Sequence, residues 1–199
     1  MPEFDLRYIQ AAEYKYNAET ETVSYGTKVR VGDAMSANVE IKFAEGRLYA
    51  EGRLAEYMKL ATGGTISLAV SRILEDAQSL MYGATTGVRT VGGKEVSGLR
   101  YTAKDAAKYV GVSFYAPDMV DSSPKYTCMF IPKALFGPPS YSYNTKGQNL
   151  QFSTPTTTGE FLATDDAEEL LINTATLDTI EEAKAWCDAV LASEGEASA

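Results

Sequence analysis

The residue types that carry most enzyme chemistry are sparse in this 199-residue chain, and the groupings that do occur fail on spacing. There is no His, which removes imidazole acid–base catalysis, His-containing metal sites and Ser-His-Asp nucleophiles together. Residues 87–95, Gly-Val-Arg-Thr-Val-Gly-Gly-Lys-Glu, look outwardly like a phosphate-binding loop. Their lysine comes one residue late after Gly92, and Glu95 stands where a Ser or Thr must hold magnesium, so the stretch reads as a turn. Paired carboxylates occur at Glu75-Asp76 and Asp165-Asp166. Neither pair has calcium-loop spacing; the first suits a helix start and the second a solvated face. Cys128 lies in an apolar run and Cys187 on an apolar helical stripe, positions that suit small buried hydrophobes better than nucleophiles. No glycine-rich dinucleotide fingerprint is present. The expectation is a protein without catalytic residues, metal or cofactor.

The 13 tyrosines could in principle stack the bases of a single strand. Such a platform needs interleaved cations, and the Tyr-bearing runs 108–116 and 125–131 carry only Lys108 and Lys125, each at the start. Sheet core and subunit contacts are the better reading. The net charge of −9 is unevenly placed. Residues 163–199 hold ten acidic side chains against Lys184 alone, while residues 1–162 balance 17 against 17. No basic patch stands out, so tight binding to a phosphate backbone is not expected. The start of the chain has no signal-peptide pattern, and no apolar run is long enough to span a bilayer. An intracellular origin without dependence on disulfides follows as the expectation.

The elements that would position these groups are mostly strands. Residues 7–16 read as one, with Tyr8, Tyr14 and Tyr16 on one parity. Residues 36–43 alternate cleanly, Ala37, Val39, Ile41 and Phe43 against Asn38, Glu40 and Lys42, the pattern of a strand buried on one side. Residues 44–62 are charged and mixed and suggest a long hairpin or loop, with Gly63-Gly64 as a turn before a strand at 65–71. A helix is expected at about 72–82, with Ser71 as N-cap and Gly83 as stop. Residues 84–107 read as a polar surface loop. Strands follow at 108–116 and 125–131, with Pro132 marking a bend, bulge or edge, and more sheet at 149–162. Residues 165–174 are acidic and expected to be helical. An amphipathic helix at 179–193 opens on a Thr179/Glu182 capping box. The fold class is therefore mainly β, a sandwich of two antiparallel sheets with one internal and one C-terminal helix. Two units are expected: a β-sandwich over 1–162 and an acidic helical extension over 163–199.

A more specific reading rests on strings of residues in order. Lys125-Tyr126, a hydrophobic strand closing in Pro132-Lys133, Pro139-Ser140, Thr145-Lys146-Gly147, and Phe152 followed by Thr154-Pro155 together resemble the major tail proteins of long, non-contractile phage tails from Gram-positive hosts. Upstream, the strand 36–43, Leu48-Tyr49-Ala50, Gly63-Gly64-Thr65 and the Tyr-Val-Gly-Val at 109–112 follow the order of that family. The resemblance covers roughly residues 5–162; the stretch 84–107 and the acidic C-terminal helix match nothing in it.

The resemblance implies a tail-tube fold whose sheets join, six subunits to a ring, around a lumen that passes double-stranded DNA without binding it specifically. The rings stack, and the chain would assemble in the host cytoplasm with tape measure, tail tip and tail terminator proteins into the virion tail, with no membrane involved. It implies no catalytic residue and no cofactor. Inter-ring contact is expected from the charged loop 45–60, at Arg47, Tyr49, Glu51, Arg53 and Glu56. Lumen-facing positions are expected at Asn38, Glu40, Lys42, Ser67, Ala69 and Ser71, on a lumen neutral to acidic in charge. Competing readings are the tube protein of a contractile tail or secretion machine, a carbohydrate- or host-binding β-sandwich from a tail tip, and a hydrolase using the acidic tail. The last needs a carboxylate pair on rigid strands, which the sequence does not offer.

Overall fold

A computed structural model of the chain describes residues 5–50, 53–120, 123–142 and 154–192. The elements run β1(Arg7–Asn17), β2(Thr22–Tyr25), β3(Val29–Arg30), β4(Ala34–Ala50), β5(Arg53–Val70), α1(Glu75–Tyr82), β6(Thr85–Val91), β7(Lys94–Arg100), β8(Tyr109–Val120), β9(Ser123–Phe136), β10(Thr156–Phe161), β11(Asn173–Leu177) and α2(Ile180–Ala189). The fold is mainly β, with two antiparallel sheets, an internal helix and a C-terminal helix, as the sequence led one to expect.

Among the described residues nine strands form one sheet in the order β2-β1-β8-β9-β10-β5-β4, with β3 added to β1 and β11 to β9. Its centre is the β8–β9 hairpin. Along one edge β9 meets β8; along the other it meets β11 at Tyr126–Phe130 and then β10 at Ala134–Phe136. Pro132 falls where the β8–β9 register shifts, between the Val112↔Ile131 and Val110↔Ala134 pairs. A proline has no N–H for the ladder and is tolerated at such a bulge.

The β1–β8–β9 layer is buried on both faces. On one side Ile9, Ala11, Val110, Val112, Phe114 and Ile131 join Ile66, Leu68 and Val70 of β5, Phe161 of β10, and Ala77, Met81 and Tyr82 of α1 in the main core. On the other side Tyr115 and Cys128 pack with Ala183 and Cys187 of α2, while Ala12 and Phe130 pack with Leu191 just beyond it. Double-sided burial explains why 109–116 and 126–131 read as nearly unbroken apolar runs. Residues 163–192 are built into this arrangement: β11 is hydrogen-bonded to β9, and α2 shares two apolar clusters with the sheet.

Four local expectations are corrected. Gly63-Gly64 is no turn but lies inside β5. A Cβ at Gly64 would sit 2.2 Å from the Phe161 ring and 2.2 Å from the Glu40 carbonyl, so the residue is small to admit the neighbouring strand. Ser71 does not cap α1; Leu74 is the N-cap and supplies no side-chain hydrogen bond, although Gly83 ends the helix in the left-handed region at φ 73°. Residues 84–107 are not a loop throughout, because β6 and β7 pair as a hairpin. Gly92 and Gly93, both at positive φ, make its two-residue turn. Residues 165–174 form turns and then enter β11 rather than a helix; the alternating Thr174 and Thr176 favour a strand there. The Thr179/Glu182 capping box is present, with Glu182 N–H donating to Thr179 Oγ1 (3.2 Å) and Thr179 N–H to Glu182 Oε2 (3.1 Å).

Candidate assembly surfaces

The β4–β5 hairpin changes character along its length. Near its base, directly paired residues share a face, and Asn38↔Ser67 and Glu40↔Thr65 place the polar set together. β10 continues that face with Thr156, Thr158 and Glu160 opposite Ala69, Ser67 and Thr65. Lys42 Nζ donates to Glu160 Oε1 at 2.9 Å, and this hydrogen bond holds the Glu160 carboxyl below the usual carboxylate range. Thr158 Oγ1 lies 3.4 Å from Ser67 Oγ. The opposite face carries Val39, Ile66, Leu68 and Phe161 into the core. Asn38, Glu40, Lys42, Ser67 and Ala69, expected from the sequence to share a face, are thus brought together, with two acids and one base among the charged members including Glu160. Ser71 is not with them: it follows β5 and turns toward Asp33, its N–H donating to the Asp33 carbonyl at 2.9 Å.

Beyond Lys42 the register shifts by one residue and the hairpin projects as a two-stranded arm. One face is held by Glu45, which pairs with Arg47 (3.4 Å) and Lys59 (3.9 Å). On the same face Lys59 lies over the Phe43 ring (4.2 Å) and Arg47 over the Tyr57 ring (5.6 Å). The hydrogen bond to Glu45 raises the Tyr57 pKa. The other face presents Leu48, Met58 and Leu60, which are 56%, 69% and 64% exposed. Of the expected contact residues, Arg47 is committed to pairing within the arm, Tyr49 and Glu56 are exposed toward its tip, and Arg53 is opposite Ala50. Glu51 lies outside the described residues. The apolar trio is not among the expected contact residues; its signal in the sequence is Met58 and Leu60 alternating with Tyr57 and Lys59.

β4 is the last strand of the sheet, so its outer edge has no partner among the described residues. An open edge of 17 residues is a template for another chain, although the irregularities at Ala34/Ser36, Lys42/Phe43 and Leu48/Tyr49 break its regularity. Elsewhere the signature residues do structural work. Lys133 Nζ donates to both Asp165 oxygens (2.7 and 2.6 Å) and lies over the Tyr14 and Tyr109 rings at 5.4 and 5.1 Å. That bond, with one from the Tyr14 hydroxyl, depresses the Asp165 pKa, while burial pushes Tyr14 up to about 12. Thr145, Lys146, Gly147 and Phe152 of the signature lie outside the described residues. Among the described residues no group of three or more acidic or cysteine side chains is arranged to hold a metal ion. No helix among them is long and apolar enough to cross a membrane.

No protein-family model matches the chain, and no curated protein matches it. Among solved structures it is similar to the cryo-EM structure of the anti-feeding prophage cap, the AFP tube terminating cap, with a TM-score of 0.44 and 10% identity over 88% of this chain and 92% of that one.

Proposed function

We propose that this chain is a non-enzymatic structural subunit of a phage tail tube, whose rings, six subunits to a ring, stack into a conduit for double-stranded DNA. The observation that carries the reading is the β4 edge, long and unpaired among the described residues, continued by an arm neither face of which those residues bury. A monomer that leaves such an edge open is an aggregation hazard; a ring in which each edge is covered by the next subunit removes the hazard. The polar β4–β5–β10 face would line the lumen. Its one lysine is tied to Glu160, so it offers a passing phosphate backbone no free cation from this set and releases few counterions. The arm would reach the adjacent ring, with Leu48, Met58 and Leu60 as the contact and Tyr49, Arg53 and Glu56 around it. Assembly in the host cytoplasm and residence in the virion tail, beside tape measure, tip and terminator proteins, complete the reading.

Negative-stain electron microscopy with light scattering, over a rising concentration series, tests this. Hollow rings or tubes with a pore wide enough for duplex DNA are the expected result. A discrete monomer or trimer that never polymerises, even with tail-tip complex added, would overturn it in favour of a tail-tip binding module.

A further inference from the structure

The β6–β7 hairpin is a separate two-stranded sheet with both edges unpaired among the described residues. A ribbon of that size is marginal in water unless something covers it. One of its faces is formed by Gly87 opposite Gly98, Arg89 opposite Val96, and Val91 opposite Lys94. The glycine pair leaves a shallow trough, since nothing lies within 4 Å of a Cβ position at Gly98, and the Arg100 stem lies across Gly87. Val91 and Val96 are 63% and 52% exposed on this face. Arg89, Lys94 and Arg100 flank them; Arg100 acts electrostatically on Asp105 of its own chain, whereas Arg89 and Lys94 form no ion pair among the described residues. An apolar floor rimmed by cations fits an acidic protein surface.

The chain carries such a surface itself. Asp165, Asp178 and Asp188 are paired with Lys133, Lys125 and Lys28, and Glu182 is used in the capping box. Glu168 and Glu169, exposed side by side on the turn between β10 and β11, and Glu181 in the first turn of α2 have no cationic partner among the described residues; only the first two are adjacent in the chain. No ion pair joins them to the hairpin within one chain, so both halves of a complementary contact are left over. We propose that the Gly87–Gly98 face of β6–β7 docks on the Glu168–Glu169 turn of a second copy of this chain. The inference rests on the reading of the chain as a self-assembling subunit and adds a contact separate from the β4 edge and arm. Because the two patches differ, the contact is head-to-tail and repeats from copy to copy.

The test is a charge swap. Arg89→Glu/Lys94→Glu and, separately, Glu168→Lys/Glu169→Lys are followed by sedimentation velocity and light scattering at low and high salt. All four positions are exposed, and unchanged melting curves confirm folding. Each double variant alone is expected to lose about tenfold or more in association at low salt, and an equimolar mixture of the two to recover it. Reversal variants that associate as the parent does, or a mixture no better than either alone, would overturn the contact while leaving rings and tubes intact. Reversal at Arg89 and Lys94 that abolishes a duplex-DNA mobility shift but spares self-association would overturn it in favour of a nucleic-acid partner. A parent chain monomeric at every concentration would sink both the contact and the tail-tube reading.

Discussion

The two longest hairpins, β8–β9 and β4–β5, are both antiparallel and both rich in apolar residues, yet only one is covered. β8–β9 has α1 and β5 on one side and α2 on the other, with Val110, Val112, Cys128 and Ile131 fully buried. β4–β5 is covered on one face near its base and on neither face along its arm, where Leu48, Met58 and Leu60 face solvent. The first hairpin therefore accounts for the stability of a single subunit. The second carries apolar surface that nothing among the described residues buries, the kind of surface that the proposed assembly would use.

That contrast can be broken at several points. Phe161→Ala, at the seam where β10 joins β5 over Gly64, should cost about 3–5 kcal/mol by denaturant unfolding, because it empties a fully buried ring position. A loss of under about 1 kcal/mol there would mean that the seam is not part of the core.

Lys133→Met should cost roughly 1–3 kcal/mol, since it removes both hydrogen bonds from Lys133 to Asp165 and leaves that carboxylate only the one from Tyr14. Asp165→Asn should cost less, about 1 kcal/mol, because that side chain is 43% exposed and solvent screens it. The sign with pH follows from the depressed Asp165 pKa. Its contribution is complete above the unfolded carboxylate value of about 3.9 and is lost as pH falls through the lower folded value. Urea midpoints should therefore differ between parent and Asp165→Asn at pH 7 and converge in strong acid.

Thr179→Ala should cost about 1 kcal/mol by removing the α2 cap. The same change loosens the covering of β8–β9. The hydrogen bond with Cys128 and burial hold the Cys187 thiol above its usual range, so labelling by a disulfide reagent should be slow in the parent and faster in this variant. Equal labelling rates would mean that α2 covers the thiol without its cap. At the small end, Met58→Ser/Leu60→Ser should change the stability of the isolated subunit by no more than about 0.5 kcal/mol, because neither side chain is buried. It should nonetheless lower association in the light-scattering series. A large stability loss would show that the arm is covered within its own chain.

The local periodicities fixed much of this fold in advance. Alternation placed β1, the base of β4 and the end of β5, and the capping box placed α2, because these signals are set by neighbours a few residues away. The β6–β7 hairpin is legible in Gly92-Gly93 with Thr90-Val91 before it and Val96 after it, but the general polarity of the stretch masks that signal. The acidic residues before β11 suggest a helix by composition, but pairing with β9 decides the strand at Asn173–Leu177.

The residue types alone determined the absence of histidine chemistry, the balanced charge of residues 1–162 and the acidic excess after them. The grouping of Asn38, Glu40, Lys42, Ser67 and Ala69 followed in part from period-two alternation, but only the register with β10 added Glu160 and neutralised Lys42. Which apolar residues stay uncovered was decided by tertiary structure. Burial depends on what packs against a face, and no pattern within a strand records whether the covering layer lies in the same chain.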